Sequence, residues 1–318
     1  MAQVLILDPV HPDGPAMLKT AGHKVTHLAD PDAHDLAAAI APAEALILRG
    51  RHLPDAVWDA AAHLRLVSRH GVGCDNVDFA RMARIGATVA VSADANYVSV
   101  AEHAMTLALA ACRRLPDAIE AATSGHWARR ETMGARDLEG ASVLVVGYGR
   151  IGQAFATRAR AFDARISVHD PALPPVVALP DGMTRADDLA NALGSAEIVS
   201  LHLPSSDATR GLFDAAMLGR LASGAILVNT ARGGIVDEAA LLAWLDGDPE
   251  TLYATDVLAQ EPPASDDPLL AHPRVMVTPH AAAMTAQGAR RMSVGAAENV
   301  IAFFEGRLPK RMTAFAVT

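Results

Sequence analysis

An arginine, a glutamate and a histidine follow three apolar runs in the second half of the chain. Arg232, Glu261 and His280 each come shortly after such a run. Because the carboxyl ends of parallel strands meet at one edge of a sheet, we expect the three to share a rim. Arginine can hold a carboxylate through two hydrogen bonds, histidine can move a hydroxyl proton, and a carboxylate on its other nitrogen fixes the tautomer. These residue types suit hydride transfer on a hydroxy acid.

A glycine-rich turn in residues 143–152 predicts a dinucleotide site. Four apolar residues run into Gly147, Gly149 and Gly152, and a helical pattern follows. The first glycine permits a tight turn, the second lets a pyrophosphate approach the backbone, and the third lets the helix pack against the strand. The helix N-terminus then offers N–H groups to the phosphates.

The acid that ends the next predicted strand indicates which dinucleotide binds. Asp170 follows the run 165–169, and an acid at this place can accept hydrogen bonds from the ribose hydroxyls of NAD. Pro171 comes next instead of a basic residue, so a 2′-phosphate would meet a negative charge without a partner. We therefore predict NAD(H) over NADP(H). The simpler reading of the whole motif is a glycine-rich βα turn followed by a solvent-facing Asp170, without a dinucleotide.

Bulk composition narrows the class of protein. The 318 residues are 51% hydrophobic and 20% charged, which fits an ordinary globular chain of about two domains. A net charge of −9 disfavours nucleic acid and anionic membranes as partners. Two cysteines give neither a disulfide framework nor metal spacing, so we expect no metal and a cytoplasmic setting. We also see no signal peptide and no apolar run of about 18 residues that could span a membrane.

Two blocks of alternating strands and helices position these residues. The pattern is typical of parallel sheets covered on both faces. Strands are predicted over 4–7, 25–28, 45–48, 66–68 and 88–91 in the first block, and over 142–146, 165–169, 198–203, 226–230, 252–255 and 275–278 in the second. Ser99 and Glu102 form a partial capping box at the start of a helix over 99–115, and an amphipathic helix over 286–304 closes the chain.

Five segments resemble those of the NAD-dependent D-2-hydroxyacid dehydrogenases, such as phosphoglycerate dehydrogenase and glyoxylate/hydroxypyruvate reductase. They are HGVGCDNVD at 70–78, NYVSVAEH at 96–103, NTARGGIVDEAAL at 229–241, ATDVLAQEP at 254–262 and VTPHAA at 277–282. The resemblance covers essentially the whole chain. It implies an α/β fold of two doubly wound parallel-sheet domains. A Rossmann NAD-binding domain (99–287) is inserted in a flavodoxin-like substrate domain (1–98 and 288–318).

The resemblance also implies a role for each matching residue. The catalytic residues would be Arg232, Glu261 and His280, with His280 as general acid/base and Glu261 as its partner. The substrate would be bound by Arg232, by the backbone N–H groups of Val72 and Gly73, and by Asn96. The cofactor would be bound by Gly147, Gly149, Arg150, Ile151, Gly152, Asp170, His202, Thr230, Ala231 and Asp256. Simpler readings remain for three of them: Asp256 as a strand-end cap, His202 as a groove-wall residue and Asn96 as a helix-entry cap.

The implied function is hydride transfer between NAD(H) and C2 of a small D-2-hydroxy or 2-keto acid. The family also implies a homodimer through the helix region 99–115. An NAD(H)-sensing binding protein of the corepressor type is the main alternative, and formate oxidation ranks lower because no Gln stands close to His280. The identity of the acid stays open. A second question is whether positive charge binds a second anionic group; the candidates are Arg49, Arg51, Arg69 and His70.

Overall fold

The strands and helices alternate in a computed structural model that describes residues 1–30, 32 and 35–316. The strands are β1 (Gln3–Leu7), β2 (Lys24–Leu28), β3 (Ala45–Leu48), β4 (Leu66–Arg69), β5 (Thr88–Val91), β6 (Ser142–Val146), β7 (Arg165–His169), β8 (Met183–Arg185), β9 (Ile198–Leu201), β10 (Ile226–Asn229), β11 (Leu252–Thr255), β12 (Val275–Val277) and β13 (Thr313–Phe315). The helices are α1 (Asp13–Thr20), α2 (Leu36–Ile40), α3 (Asp55–Asp59), α4 (Phe79–Ile85), α5 (Tyr97–Cys112), α6 (Leu115–Thr123), α7 (Arg150–Ala161), α8 (Leu189–Leu193), α9 (Ala215–Leu218), α10 (Glu238–Gly247), α11 (Pro268–Ala271) and α12 (Ala286–Phe304), with 3₁₀ helices at Trp127–Thr132, Gly233–Ile235 and Lys310–Met312.

The chain divides into two units, and the second is inserted in the first. The first unit comprises Met1–Asn96 and Ala283–Thr318, and the second comprises Tyr97–Ala282. Residues 317 and 318, which the predicted substrate domain includes, lie outside the described residues.

The described strands of the first unit form a six-stranded sheet of order β13-β5-β4-β3-β1-β2. Strands β1 to β5 are parallel and follow the flavodoxin-like order. Apolar residues of α1 and α12 cover one face, and those of α2, α3 and α4 cover the other. At one edge of this otherwise parallel sheet, β13, an edge strand that the sequence did not predict, pairs antiparallel with β5. A three-residue strand carries too little periodicity to be recognised in the sequence.

The described strands of the second unit form a parallel seven-stranded sheet of order β12-β11-β10-β9-β6-β7-β8. This is the Rossmann order with β12 as a seventh strand, which confirms the predicted fold class. The six predicted strands included β12 and omitted β8. Strand β8 is a half-exposed edge strand, so it lacks the apolar run of a buried strand.

Three strands of the second sheet end before the predicted limits. β9 ends at Leu201, β10 at Asn229 and β12 at Val277. His202 and Thr230 therefore stand on the rim rather than in the sheet.

Helix α5 begins two residues before the predicted start and ends three residues before the predicted end. Ser99 therefore lies inside its first turn and is buried, so the predicted capping box is wrong. At Arg114 the backbone enters the left-handed region with φ 47°, which separates α5 from α6. Among the described residues, none of the helices combines the length and apolar character that a membrane crossing requires.

Candidate active site

In the glycine loop after β6, each of the three glycines has the conformation or the surroundings that its predicted role requires. Gly147 has φ 93°, and a Cβ there would lie 2.6 Å from the carbonyl oxygen of His202. A Cβ on Gly152 would lie 2.0 Å from the Gly147 oxygen, so any side chain would push α7 away from the strand. Gly149 caps α7 and has open space around its Cβ position. Arg150 and Ile151 form the first turn of α7. The loop leaves room for a phosphate at the start of the helix.

Asp170 lies next to this loop and forms a hydrogen bond with it. One carboxylate oxygen accepts from the backbone N–H of Tyr148 at 2.7 Å, and the other accepts from Ala172 at 2.8 Å. The acid is thus fixed at the end of β7, next to the glycine turn. This position suits contact with ribose hydroxyls, and it explains why the acid and the glycines occur together in one sequence pattern.

Two residues on the rim have buried polar atoms without a hydrogen-bond partner among the described residues. They are Nδ1 of His202 and Oγ1 of Thr230. The other ring nitrogen of His202 contacts Ser200 Oγ at 2.9 Å, and burial lowers the pKa of His202 to about 3, so its ring is neutral near pH 7. Unpaired buried polar atoms are costly unless a ligand or water pairs with them. They therefore fit a groove that binds a polar cofactor.

The turn after β10 presents Arg232 through a residue that the sequence analysis missed. Asn229 is fully buried, and its amide donates to the Arg232 carbonyl at 3.0 Å while its oxygen accepts from the Ala231 N–H at 3.0 Å. Arg232 itself donates to the Ala231 carbonyl at 2.7 Å. A polar residue at the end of an otherwise apolar strand was the available signal.

Gly233 brings two loops into backbone contact. A Cβ at Gly233 would lie 1.9 Å from the carbonyl carbon of Leu258, in the loop after β11. Only glycine permits this approach, which draws the loop of Arg232 towards the loop of Glu261. Its position in the sequence alone did not predict this contact.

His280 and Glu261 form the central pair of the site. The ring Nδ1 of His280 lies 2.6 Å from Glu261 Oε2, and Glu261 Oε1 accepts from the Leu258 N–H at 2.9 Å. His280 has φ 50°, a left-handed conformation that is uncommon for a residue with a side chain. Its side chain is 52% exposed. Because the pair uses Nδ1, the imidazole can offer Nε2 to a ligand.

The positive charge of Arg232 acts on both members of this pair. The hydrogen bond to Glu261 raises the pKa of His280 against the effects of burial and of the positive Arg232. Burial favours a higher pKa for Glu261, but hydrogen bonds from His280 and Leu258, together with Arg232, lower it. The three residues predicted to be catalytic therefore act on one another.

Asp256 is 1% exposed and braces the turn that carries His280. Its carboxylate accepts from Thr278 Oγ1 at 2.6 Å and from the backbone N–H groups of Ala281 and Ala282, each at 2.8 Å. The simpler reading of Asp256 as a cap thus describes its contacts, and its contact with the nicotinamide stays a prediction.

Three of the residues predicted to bind the substrate, Val72, Gly73 and Asn96, lie in the first unit. Val72 is exposed, and the carbonyl of Gly73 accepts from Arg69 at 2.8 Å. Asn96 has a buried side-chain oxygen without a partner among the described residues. Their contact with a substrate stays a prediction.

Two of the four basic residues considered for a second anionic group are buried. Arg69 is 7% exposed and donates to the carbonyls of Gly73, Leu48 and Arg49. His70 is 6% exposed, and burial with the nearby arginines lowers its pKa to about 4, so it is neutral at pH 7.

The two other arginines differ in their partners. Arg51 pairs with Asp8 at 3.0 Å and with Asp32 at 2.6 Å. The guanidinium of Arg49 donates to uncharged atoms, the Pro9 carbonyl and the Met284 sulfur.

Comparison with known proteins shows the family of this chain. Residues 105–282 match the family model described as D-isomer specific 2-hydroxyacid dehydrogenase, NAD binding domain. The D-3-phosphoglycerate dehydrogenase of Mycobacterium tuberculosis is 40% identical over 300 residues, which cover 93% of this chain and 56% of that protein. The chain thus spans little more than half the length of this relative.

Two solved structures share the fold over nearly their whole length. The TT0316 protein of Thermus thermophilus is 32% identical with a TM-score of 0.86, covering 98% of this chain and 100% of that chain. An NAD-dependent formate dehydrogenase of Staphylococcus aureus in complex with NAD is 26% identical with a TM-score of 0.86, covering 99% of each chain. The family match confirms the predicted cofactor, NAD. On its sequence, its fold and its rim residues, the chain belongs to the D-isomer specific 2-hydroxyacid dehydrogenases.

Proposed function

We propose that this protein transfers hydride between NAD(H) and C2 of a small D-2-hydroxy or 2-keto acid. The observation that carries the proposal is the 2.6 Å contact between His280 Nδ1 and Glu261 Oε2 beside Arg232. A histidine whose one nitrogen is held by a carboxylate presents the other in a defined tautomer. A guanidinium next to it can bind the substrate carboxylate through two hydrogen bonds.

Each residue has one task in the proposed reaction. Arg232 binds the carboxylate and polarises the oxygen on C2. In oxidation, Nε2 of His280 takes the hydroxyl proton, and Glu261 stabilises the imidazolium that forms. Bound NAD would supply the hydride acceptor in oxidation and, as NADH, the hydride donor in reduction. In reduction the protonated His280 returns its proton to the carbonyl oxygen.

The residues present fit NAD. Gly147 and Gly152 permit the turn, Gly149 leaves space for the pyrophosphate, and Asp170 is fixed where the ribose would bind. A 2′-phosphate beside Asp170 would be repelled. Comparable catalytic efficiency with NADH and NADPH would contradict this preference.

A substrate panel tests the proposed function. We expect NADH consumption with at least one 2-keto acid among glyoxylate, hydroxypyruvate, pyruvate and phosphohydroxypyruvate. NADH binding without consumption of any acid would favour the alternative, an NAD(H)-sensing binding protein. NADH formation from formate alone would favour formate oxidation.

The name of the mycobacterial relative raises the question of a phosphorylated substrate. Of the four basic residues, Arg49 is the candidate for a second anionic group because its described side-chain contacts are uncharged and it is only partly buried. We expect Arg49→Gln to raise KM for phosphohydroxypyruvate more than KM for glyoxylate. Equal KM changes for the two acids would exclude a role in binding phosphate.

We also propose a homodimer, in which a second copy covers apolar side chains next to α5. Helix α5 itself is largely buried within its own unit. In contrast, Leu115 and Ile119 of α6 are 46% and 55% exposed, and Trp127 of the 3₁₀ helix that α6 contacts is 67% exposed. Light scattering should give a dimer mass for the wild type and a monomer mass for an Ile119→Glu/Trp127→Glu variant. A monomeric wild type would refute the dimer.

A further inference from the structure

His103 of α5 contacts the strand end that precedes His280, although the two regions are far apart in sequence. Its Nε2 lies 2.8 Å from Thr278 Oγ1 and 3.5 Å from Asp256 Oδ1. The side chain of His103 is 23% exposed, so most of it is enclosed by the second unit. None of the roles described above uses this contact.

The direction of the hydrogen bonds follows from the number of protons. The Thr278 hydroxyl has one proton, and an ionised carboxylate can only accept. The 2.6 Å contact with Asp256 Oδ1 therefore uses the Thr278 proton. Towards His103 the same hydroxyl must accept, so His103 carries a proton on Nε2 and donates it.

The carboxylate at the end of this chain of bonds fixes the backbone around His280. Asp256 accepts from the N–H groups of Ala281 and Ala282 through its side chain and from the N–H of His280 through its carbonyl, at 2.9 Å. These bonds hold His280 at φ 50°, a left-handed conformation that is unfavourable for an L-residue. A position so unfavourable persists only when its surroundings enforce it.

We propose that His103 is a positioning residue that acts through Thr278 and Asp256 to hold the turn at 280–282 and to aim the imidazole of His280 at Glu261. The kinetic consequence rests on the proposed function, since it requires His280 to be the acid/base. The effect on the turn does not, since these contacts involve only this chain.

The contact has two measurable consequences. Without the bond from His103, Thr278 can turn its hydroxyl away from Asp256, and the backbone N–H groups of Ala281 and Ala282 exchange faster with solvent. The charged groups that act on His280 are Glu261, Arg232 and Asp256. A looser turn weakens the contact with Glu261, so the alkaline limb of the reduction profile moves to lower pH.

The experiment compares two variants of the full chain. His103→Phe keeps the size of the ring and removes the donor, whereas His103→Gln keeps an N–H donor. For His103→Phe we expect kcat to fall about five- to tenfold, the size expected when one such bond is lost. KM for NADH should stay unchanged. Amide hydrogen exchange at residues 281 and 282, measured by mass spectrometry, should be faster than in the wild type. His103→Gln should instead keep most of the wild-type kcat and most of the wild-type protection from exchange at the turn.

The control is Glu102→Gln, one residue away on α5, where an exposed carboxylate contacts Arg158 at 3.0 Å. It should change neither kcat nor exchange at the turn. Unchanged exchange at 281 and 282 in His103→Phe would overturn the proposal, as would faster exchange spread evenly over the unit. If His103→Phe does not fold, Thr278→Val removes the same chain of bonds. If the wild type reduces no 2-keto acid, the proposed function fails while the exchange data still decide the role of His103.

Discussion

In both units of this protein, arginine and histidine occur at the carboxyl ends of parallel strands, yet the structure gives their side chains opposite environments. In the second unit, His280 is half exposed and its pKa is raised by Glu261, next to Arg232. In the first unit, Arg69 and His70 are both nearly buried, and the pKa of His70 falls to about 4. His280 thus has a carboxylate partner, whereas both ring nitrogens of His70 are buried without a hydrogen-bond partner among the described residues.

The largest expected effect tests the exposed histidine. We expect His280→Gln to lower turnover by about 10²- to 10⁴-fold, the usual contribution of general acid–base catalysis, because Gln cannot transfer the proton. NADH affinity, measured by fluorescence titration, should stay near that of the wild type. Turnover close to wild type would remove His280 from its role. His126→Gln, at an exposed histidine that contacts Ser124, is the control.

Variants of Arg232 and Arg69 should separate an effect on substrate binding from an effect on the stability of the fold. Arg232→Lys should lower kcat/KM for the acid by about 10- to 100-fold, because lysine cannot form the paired hydrogen bonds to a carboxylate. Arg69→Lys should lower the melting temperature and leave KM nearly unchanged, because Arg69 binds three backbone carbonyls. The comparison fails if the two variants change KM equally.

The low pKa of His70 predicts that the first unit loses stability in acid. Its folded-state pKa is about 4 and its ordinary value is 6.5. The unfolded chain therefore binds a proton that the folded chain excludes, and stability falls as pH drops from about 6.5 towards 4, by up to about 3 kcal/mol for this group. His70→Leu should remove that share of the acid destabilisation, measured by denaturant unfolding from pH 7 to pH 4.5. Identical pH dependence in both proteins would show that His70 is not buried in solution.

The smallest effect is a shift of a pH profile. Glu261 raises the pKa of His280, so Glu261→Gln should lower it. Reduction needs protonated His280, and its rate should therefore fall at lower pH than in the wild type as pH rises. Oxidation needs the neutral ring and should reach its plateau at lower pH. Steady-state rates in both directions would measure the shift, and an unmoved profile would mean that Glu261 does not control His280.

Much of the fold was predictable because periodicity reports burial. The buried strands β3, β5, β6, β7 and β11 coincide with apolar runs, and the glycine spacing located the cofactor loop. The edge strands β8 and β13 were missed, because a half-exposed strand of three residues has no distinct pattern. Ser99 was misread as a cap because a capping pattern can also occur inside a helix.

The candidate site was predictable to the level of residue type and strand end. Arg232, Glu261 and His280 were identified from position and resemblance, and the structure places them in mutual contact or influence. Asn229 and His103 were missed, because their importance lies in partners that are distant in the chain or in turns that only the folded backbone forms.

The sequence by itself therefore determined the family, the cofactor loop and the residues that can do the chemistry, because these depend on residue identity and local spacing. The tertiary structure decided the exposure and the partners of those residues. Exposure and partners set the pKa of His280 and of His70. Contacts such as Gly233 with Leu258 or His103 with Thr278 join segments that the sequence keeps apart. His280 and His70 differ for this reason, although each follows a strand of a parallel sheet.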